Sequence, residues 1–189
     1  MTTINRKTNE TDIELTLGLY ASTVDGDVAQ HRGSGVRTDR AFLTHMLETL
    51  SRYAAIDLAV TATGDLEHHL VEDVAITLGL AFAAAQPDTC RRYGEATVPM
   101  DDALVQAAVD IGGRHFYDGS LPDRHYEHFM RSLADNARWT LHLRVLRGSD
   151  RHHVVEAAFK ALGLALRNAL VDQGVVFSTK GAVIVEGSA

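Results

Sequence analysis

A histidine doublet that occurs twice constrains this chain more than any other feature. His68-His69-Leu70-Val71-Glu72 returns 84 residues later as His152-His153-Val154-Val155-Glu156. The match continues downstream, where Leu78-Gly79-Leu80-Ala81 answers Leu162-Gly163-Leu164-Ala165, and eight of the fifteen positions from each doublet are identical. A fixed period of this kind signals duplicated structural units. Here the duplicated element also carries a metal-ligand pattern.

On a helix, residues three and four apart share one face, so Glu72 sits beside His69 and His68, and Glu156 beside His153 and His152. Adjacent histidines instead point about 100° apart around the axis. One doublet therefore does not readily chelate a single ion, but it can give one imidazole to each of two ions. Two doublets and two glutamates could furnish three ligands to each of two sites. Imidazole with carboxylate suits zinc, manganese, iron or nickel better than magnesium or calcium. A single HHxxE fits surface histidines on an amphipathic helix equally well; two at one period do not. The chain has ten histidines in 189 residues. His45 and His142 are candidates for a fourth ligand at each site, although their repeat-equivalent positions are Phe129 and Leu58. Taken alone, each of the two reads as a packed histidine.

The length allows one domain with a sizeable core or two small fused units. Apolar residues at 46% and charged residues at 23% are ordinary for a globular protein. A formal charge of −7 argues against broad nucleic-acid binding. The single cysteine, Cys90, excludes an internal disulfide and fits a reducing compartment. The uncharged stretch 74–87 is too short to span a bilayer, and residues 1–10 lack the apolar core of a signal peptide. The expectation is a cytoplasmic chain with no membrane or nucleic-acid partner.

Alternation of Ile13, Leu15, Leu17 and Leu19 predicts a half-buried strand over 12–23. Asp25-Gly26-Asp27 is a turn signal, and 28–36 reads as a second strand. Phe42, Leu43, Met46, Leu47 and Leu50 have helical spacing over 40–53. A strand over 57–63, a turn at Gly64-Asp65 and the first doublet helix, running to about residue 85, complete the first half. The second half repeats the plan: a strand or two within 98–117, a helix near 125–137, a strand over 140–147, a turn at Gly148-Ser149 and the second doublet helix to about 172. A final strand is expected at 181–185. Helices following strands in each half predict an α+β sandwich with mostly antiparallel sheets. The halves, 9–95 and 96–185, have no low-complexity linker between them and are expected to pack as one unit.

The residues also carry a resemblance. In order they are Asn9-Glu10-Thr11, Phe42-Leu43-Thr44-His45-Met46-Leu47, Gly64-Asp65, His68-His69 with Val71-Glu72-Asp73, and Arg92-Tyr93-Gly94. Pro99-Met100-Asp101-Asp102-Ala103-Leu104 follows, with Asp110, Gly113-Arg114 and Glu127-His128-Phe129. Last come Thr140-Leu141-His142, His152-His153 with Glu156-Ala157 and Phe159-Lys160-Ala161, and Ser178-Thr179-Lys180-Gly181. Over roughly residues 9–183 the chain resembles the imidazoleglycerol-phosphate dehydratases, the dimanganese lyases of histidine biosynthesis. The resemblance implies an internally duplicated fold of the ribosomal protein S5 domain 2-like type, each half a four-stranded sheet backed by helices. It implies two Mn2+ per active site, metal sites formed between subunits, and trimers building a 24-subunit shell. By the resemblance, His45, His68, His69, Glu72, His142, His152, His153 and Glu156 are metal ligands. Glu10 matches the family's proton-transfer carboxylate, and Arg92, Arg114, Ser178 and Lys180 match its phosphate contacts. Without the resemblance, Glu10 reads as a solvated residue before a strand.

The reaction so implied is dehydration of imidazole glycerol phosphate to imidazole acetol phosphate. The hydrogen to be removed lies next to no carbonyl, so enolate chemistry cannot acidify it. Lewis-acidic ions on the ring nitrogens would favour the imidazolate, which can expel the hydroxyl of the attached carbon. Loss of a proton from the next carbon gives an enol that tautomerises to the product. The chain departs from the family pattern at Thr44, where aspartate is usual, and at Leu70, where threonine is usual. Two rival readings are a diverged metal-dependent lyase or hydrolase acting on another phosphorylated azole, and a non-catalytic, shell-forming metal protein.

Overall fold

The computed structural model describes residues 1–19 and 34–176. The expected turn at Asp25-Gly26-Asp27, the first part of the strand 28–36 and the strand 181–185 lie outside the described residues. The first half contains β1 (Thr2–Lys7), β2 (Thr11–Gly18), β3 (Ser34–Thr38), α1 (Ala41–Ala54), β4 (Asp57–Gly64) and α2 (Glu67–Ala85). The second contains β5 (Tyr93–Met100), β6 (Ala103–Ile111), β7 (Phe116–Asp118), α3 (Arg124–Ala137), β8 (Trp139–Arg147) and α4 (Arg151–Ala169). The two sheets have orders β1-β2-β4-β3 and β5-β6-β8-β7, the same path taken twice. In each, two pairings are antiparallel and the last, β3 with β4 or β7 with β8, is parallel. This is the duplicated α+β architecture that the repeat and the alternating patterns predict.

The alternation in β2 buries Ile13, Leu15 and Leu17 and leaves Asp12 and Glu14 in solvent, as a sheet with one covered face requires. In β6, Ala103, Val105, Ala107, Val109 and Ile111 play the same part. Three strands, rather than one or two, fill the span from residue 93 to 118. Strand β1 was not legible. Its only apolar residue inside the pairing is Ile4, and its inward-facing Arg6 instead ion-pairs with the buried Asp73 of α2 at 2.5 Å. Asp73 also accepts a hydrogen bond from Thr11 Oγ1, so an opposite charge and a hydroxyl both meet this carboxylate under the sheet.

The helices cover one face of each sheet and then meet each other. Helix α2 packs on β1 and β2 and against α3; α4 packs on β5 and β6 and against α1. The repeated glycines sit at these crossings. A Cβ on Gly79 would lie 2.7 Å from the Asn136 Cβ of α3, and one on Gly163 would lie 2.7 Å from the Tyr53 Cβ of α1. The bare backbone lets each helix pair close onto a core containing Phe82, Trp139, Phe129 and Phe159, all fully buried. Helix α2, at 19 residues, is long and apolar enough to cross a bilayer by length and composition. Its buried Leu70, Val71, Val74, Leu78 and Phe82 belong to the common core, which accounts for that composition.

The ends of the strands fix the doublets. A Cβ on Gly64 would meet Thr11 and Leu70, and one on its counterpart Gly148 would meet Ala103 and Val154. Thr11 and Ala103 are therefore equivalent positions, and so are the residues just before them, Glu10 and Asp102. Gly148 has φ of 132°, a conformation open to glycine, and it turns β8 into the start of α4.

Candidate metal centre

The second doublet is set by a helix cap. The Asp150 carboxylate accepts hydrogen bonds from the His152 and His153 amides, satisfying two of the free N–H groups at the start of α4. The two rings then splay at 87°, and those of His68 and His69 do the same. Each doublet thus presents imidazoles in two directions, as helix geometry requires.

In one direction His152 meets Glu156 one turn further on, Nε2 to Oε2 at 3.2 Å. His45 reaches the same oxygen from α1, at 3.6 Å. Nitrogen and oxygen ligand atoms of His45, His152 and Glu156 all lie within 4.8 Å of one another. Phe42 packs on the His152 ring with centroids 4.9 Å apart, and Lys160 binds the other Glu156 oxygen at 2.9 Å. Burial alone would raise the Glu156 pKa; the Lys160 hydrogen bond and charge, with His45, outweigh it and lower the value. A half-exposed pair of imidazoles therefore faces an ionised carboxylate, a donor set that fits a divalent transition metal.

The first doublet has no such cap, because the residue before α2 is Leu66, whose side chain accepts nothing. His68 Nε2 stands 3.9 Å from Glu72 Oε2. The position that would correspond to His45 is Phe129, fully buried in the core. His68 instead lines a cleft of about 610 Å³ with Glu67, Asp123, His125, His128 and Arg151. The second histidine of each doublet turns to aspartate: His69 Nδ1 lies 2.9 Å from Asp65, and His153 Nδ1 lies 2.8 Å from Asp102. Glu10 approaches His69 Nδ1 at 3.7 Å from the β1–β2 turn. His142 stands apart, because its neighbours Leu141 and Leu143 point into the core and alternation sends His142 to the opposite face of the sheet. There it lies 3.6 Å from Asp118. Among the described residues, then, one chain gathers His45, His152 and Glu156, while His68 with Glu72, His69, His153 and His142 stand in separate groups.

Residues 38–166 match the family model for imidazoleglycerol-phosphate dehydratase. The chain belongs to the imidazoleglycerol-phosphate dehydratase family. It is 41% identical to the imidazoleglycerol-phosphate dehydratase of Chloroherpeton thalassium, with 95% of this chain and 96% of that one covered. Against the Salinibacter ruber protein of the same name the identity is 44%, covering 96% and 94%. The crystal structure of the Pyrococcus furiosus dehydratase superposes with a TM-score of 0.80 at 39% identity, covering 95% of this chain and all of that one. The Staphylococcus aureus dehydratase gives 0.74 at 29%, covering 92% and 100%.

Of the four residues expected to contact phosphate, two lie in described positions. Arg92 is held by Asp110 in a bidentate pair, Nε to Oδ1 at 2.5 Å and an Nη to Oδ2 at 3.0 Å, and lies over the Tyr93 ring. Arg114 is exposed in the β6–β7 connection, where its carbonyl accepts from Thr140 Oγ1. Ser178 and Lys180 lie outside the described residues. Two of the departures from the family pattern, Thr44 and Leu70, have local roles. Thr44 Oγ1 lies 3.0 Å from Thr38 Oγ1 and accepts from the Thr38 amide, tying the end of β3 to α1. Leu70 is fully buried.

Metal uptake should depend on pH. The Asp65 hydrogen bond raises the His69 pKa above the ordinary imidazole value, and the Asp102 hydrogen bond does the same for His153. A raised pKa means that both rings still hold a proton where free imidazole, at about 6.5, has largely lost it. An ion must displace that proton. Binding of a divalent transition metal through these rings near pH 7 is expected to release protons and to weaken steadily as the pH falls. Titration calorimetry in two buffers of different ionisation enthalpy measures the release; identical heats in both would contradict it.

Proposed function

We infer that this chain catalyses dehydration of D-erythro-imidazole glycerol 3-phosphate to imidazole acetol phosphate in histidine biosynthesis. The observation that carries this reading is the cross-half cluster of His45, His152 and Glu156, found in a chain about two-fifths identical over nearly its whole length to dehydratases of that name.

Two manganese ions per active site, held by His45, His68, His69, Glu72, His142, His152, His153 and Glu156, complete the proposal. When bound, they would supply Lewis acidity to the nitrogens of the substrate ring. The separation of these ligands within one chain favours sites closed by neighbouring subunits, as in a shell of trimers forming a 24-mer. His68 with Glu72, and His142 on the outer sheet face, each offer too few donors alone for a transition-metal site. Glu10 moves the substrate proton, from a turn that brings its carboxylate beside His69. Arg92 and Arg114, with Ser178 and Lys180, bind the phosphate. Arginine's planar fork matches phosphate oxygens, and the Asp110 pair holds Arg92 rigid while leaving its remaining N–H groups to donate. In this reading the enzyme works in the cytoplasm on a small phosphorylated substrate.

Turnover decides the matter. Purified protein with added manganese should convert imidazole glycerol phosphate to imidazole acetol phosphate, and a chelator should stop the reaction and split the assembly into smaller oligomers by light scattering. No product, with manganese bound and the assembly intact, would favour a lyase acting on a different phosphorylated azole. Scattering that stays unchanged after complete metal removal would overturn metal bridging between subunits.

A further inference from the structure

The two halves use their acidic residues differently. Glu10 and Asp102 occupy equivalent positions, each one residue before the strand position that a Cβ on the glycine ahead of a doublet would meet. Glu10 Oε2 stays 3.7 Å from His69 Nδ1, beyond hydrogen-bond range. Asp102 Oδ1 lies 2.8 Å from His153 Nδ1, and its other oxygen accepts from the Ser149 amide at 2.7 Å, the Ser149 hydroxyl at 3.0 Å and the Asp150 amide at 3.2 Å. In the first half the residue equivalent to Ser149 is Asp65, and Asp65 holds His69 at 2.9 Å while accepting from the Leu66 amide at 2.6 Å. The task of holding the histidine has thus passed to a different chain position in each half.

We propose that Asp65 and Asp102 are positioning residues, each fixing the second histidine of its doublet as the Nδ1–H tautomer so that Nε2 is the metal-binding nitrogen. The inference rests on the reading of His69 and His153 as ligands. An ionised carboxylate only accepts hydrogen bonds, and a neutral imidazole has one donor and one acceptor nitrogen, so a ring that donates from Nδ1 bares Nε2. Carboxylates in this place both aim the ring and raise its basicity toward a metal. Asp102 is suited to the role because three donors pin it from the α4 cap, and it cannot turn away. Asp101 lies across the ring, its Oδ2 3.3 Å from His153 Nε2, so the open nitrogen faces negative charge that a cation would complete. The division of labour also explains Glu10: because Asp65 holds His69, the carboxylate equivalent to Asp102 is left without a fixed partner and free to move a proton.

Asp102→Asn is the discriminating variant. Its amide oxygen can still accept from Ser149 and Asp150, but its NH2 group would donate to His153 Nδ1 and force the proton onto Nε2. Titration of the full-length, metal-stripped protein with Mn2+ should show the sites containing His153 weakened about 10- to 100-fold, and the remaining sites unchanged. Solid-state 15N spectra of the metal-free wild-type protein, taken above the histidine titration range, should show His69 and His153 protonated on Nδ1. Asp65→Asn should weaken the sites containing His69 in the same way. His153→Ala separates the two levels of inference. If His153→Ala loses an ion but Asp102→Asn binds manganese as the wild type does, the positioning role is wrong. If His153→Ala keeps full manganese binding, the ligand reading beneath it is wrong. Nε2–H rings in the wild-type spectra would overturn the proposal even if neither variant folds.

Discussion

Glu10→Gln is expected to lower kcat by about 100- to 10,000-fold, the usual contribution of a positioned general acid or base, and to leave manganese content and assembly unchanged. The backbone at Glu10 is tied down on both sides, since its amide donates to Thr8 Oγ1 at 3.0 Å and its carbonyl accepts from the Asp65 amide at 3.0 Å. Those bonds survive the substitution. The side chain itself is about half exposed and makes no hydrogen bond that glutamine would break, so stability should hardly move. On the role proposed for Glu10, what is lost is the capacity to take up and return a proton. Steady-state kinetics with metal analysis on the same preparation checks this. A kcat within threefold of wild type would remove Glu10 from the mechanism; a parallel loss of manganese would turn it into a ligand.

Among the described glycines, Gly94→Ala should be the most damaging substitution by alanine. Strand β5 crosses α4 so closely that an added Cβ would lie 1.9 Å from the Ala165 carbonyl oxygen, and 2.9 Å from both the Ala165 carbonyl carbon and the Ala169 nitrogen. All three atoms belong to the backbone of a buried helix and have nowhere to move without breaking its hydrogen bonds. Forced overpacking of this kind costs about 3 kcal/mol or more, which lowers the unfolding midpoint by roughly 10 °C for a chain of this size. Gly35→Ala is the control, because its Cβ would meet only the Ala59 Cβ at an ordinary 3.8 Å. Thermal unfolding of the two variants side by side is the measurement. A Gly94→Ala midpoint within 2 °C of wild type would mean that α4 does not lie on β5 as described.

Legibility followed periodicity. Helices α1 to α4 and strands β2, β4 and β8 appear within a few residues of where apolar spacing predicts them, because each has one face on the common core. Strand β1 escaped because its inward charge is satisfied by Asp73, a partner 67 positions away in the chain. The metal cluster was half legible. His152 and Glu156 announce themselves at helical spacing; His45 was a ligand candidate and a ligand by the resemblance, but only the packing of α1 on α4 shows that it joins these two. The carboxylates around the doublets divide in the same way. Asp65 sits four residues before His69 on the same turn of chain, a spacing open to inspection. Asp102 reaches His153 from 51 residues away, and only the pairing of β5, β6 and β8 brings it there. Lys160 was noted as part of a motif, yet its pairing with Glu156 emerges only with the helix in place.

The reciprocal helix crossings carry a consequence for ancestry. Gly79 of α2 lies against α3, and Gly163 of α4 lies against α1, so each half gives the other the same kind of contact that it receives. This is the pattern of an isologous, two-fold interface, with a loop joining what would otherwise be separate chains. One half alone would leave its helix layer bare, and the other half is the surface shaped to cover it. The arrangement is the one that a homodimer joined into a single chain would keep. Within it the two copies differ, with His45 in one where the matching place in the other holds the buried Phe129.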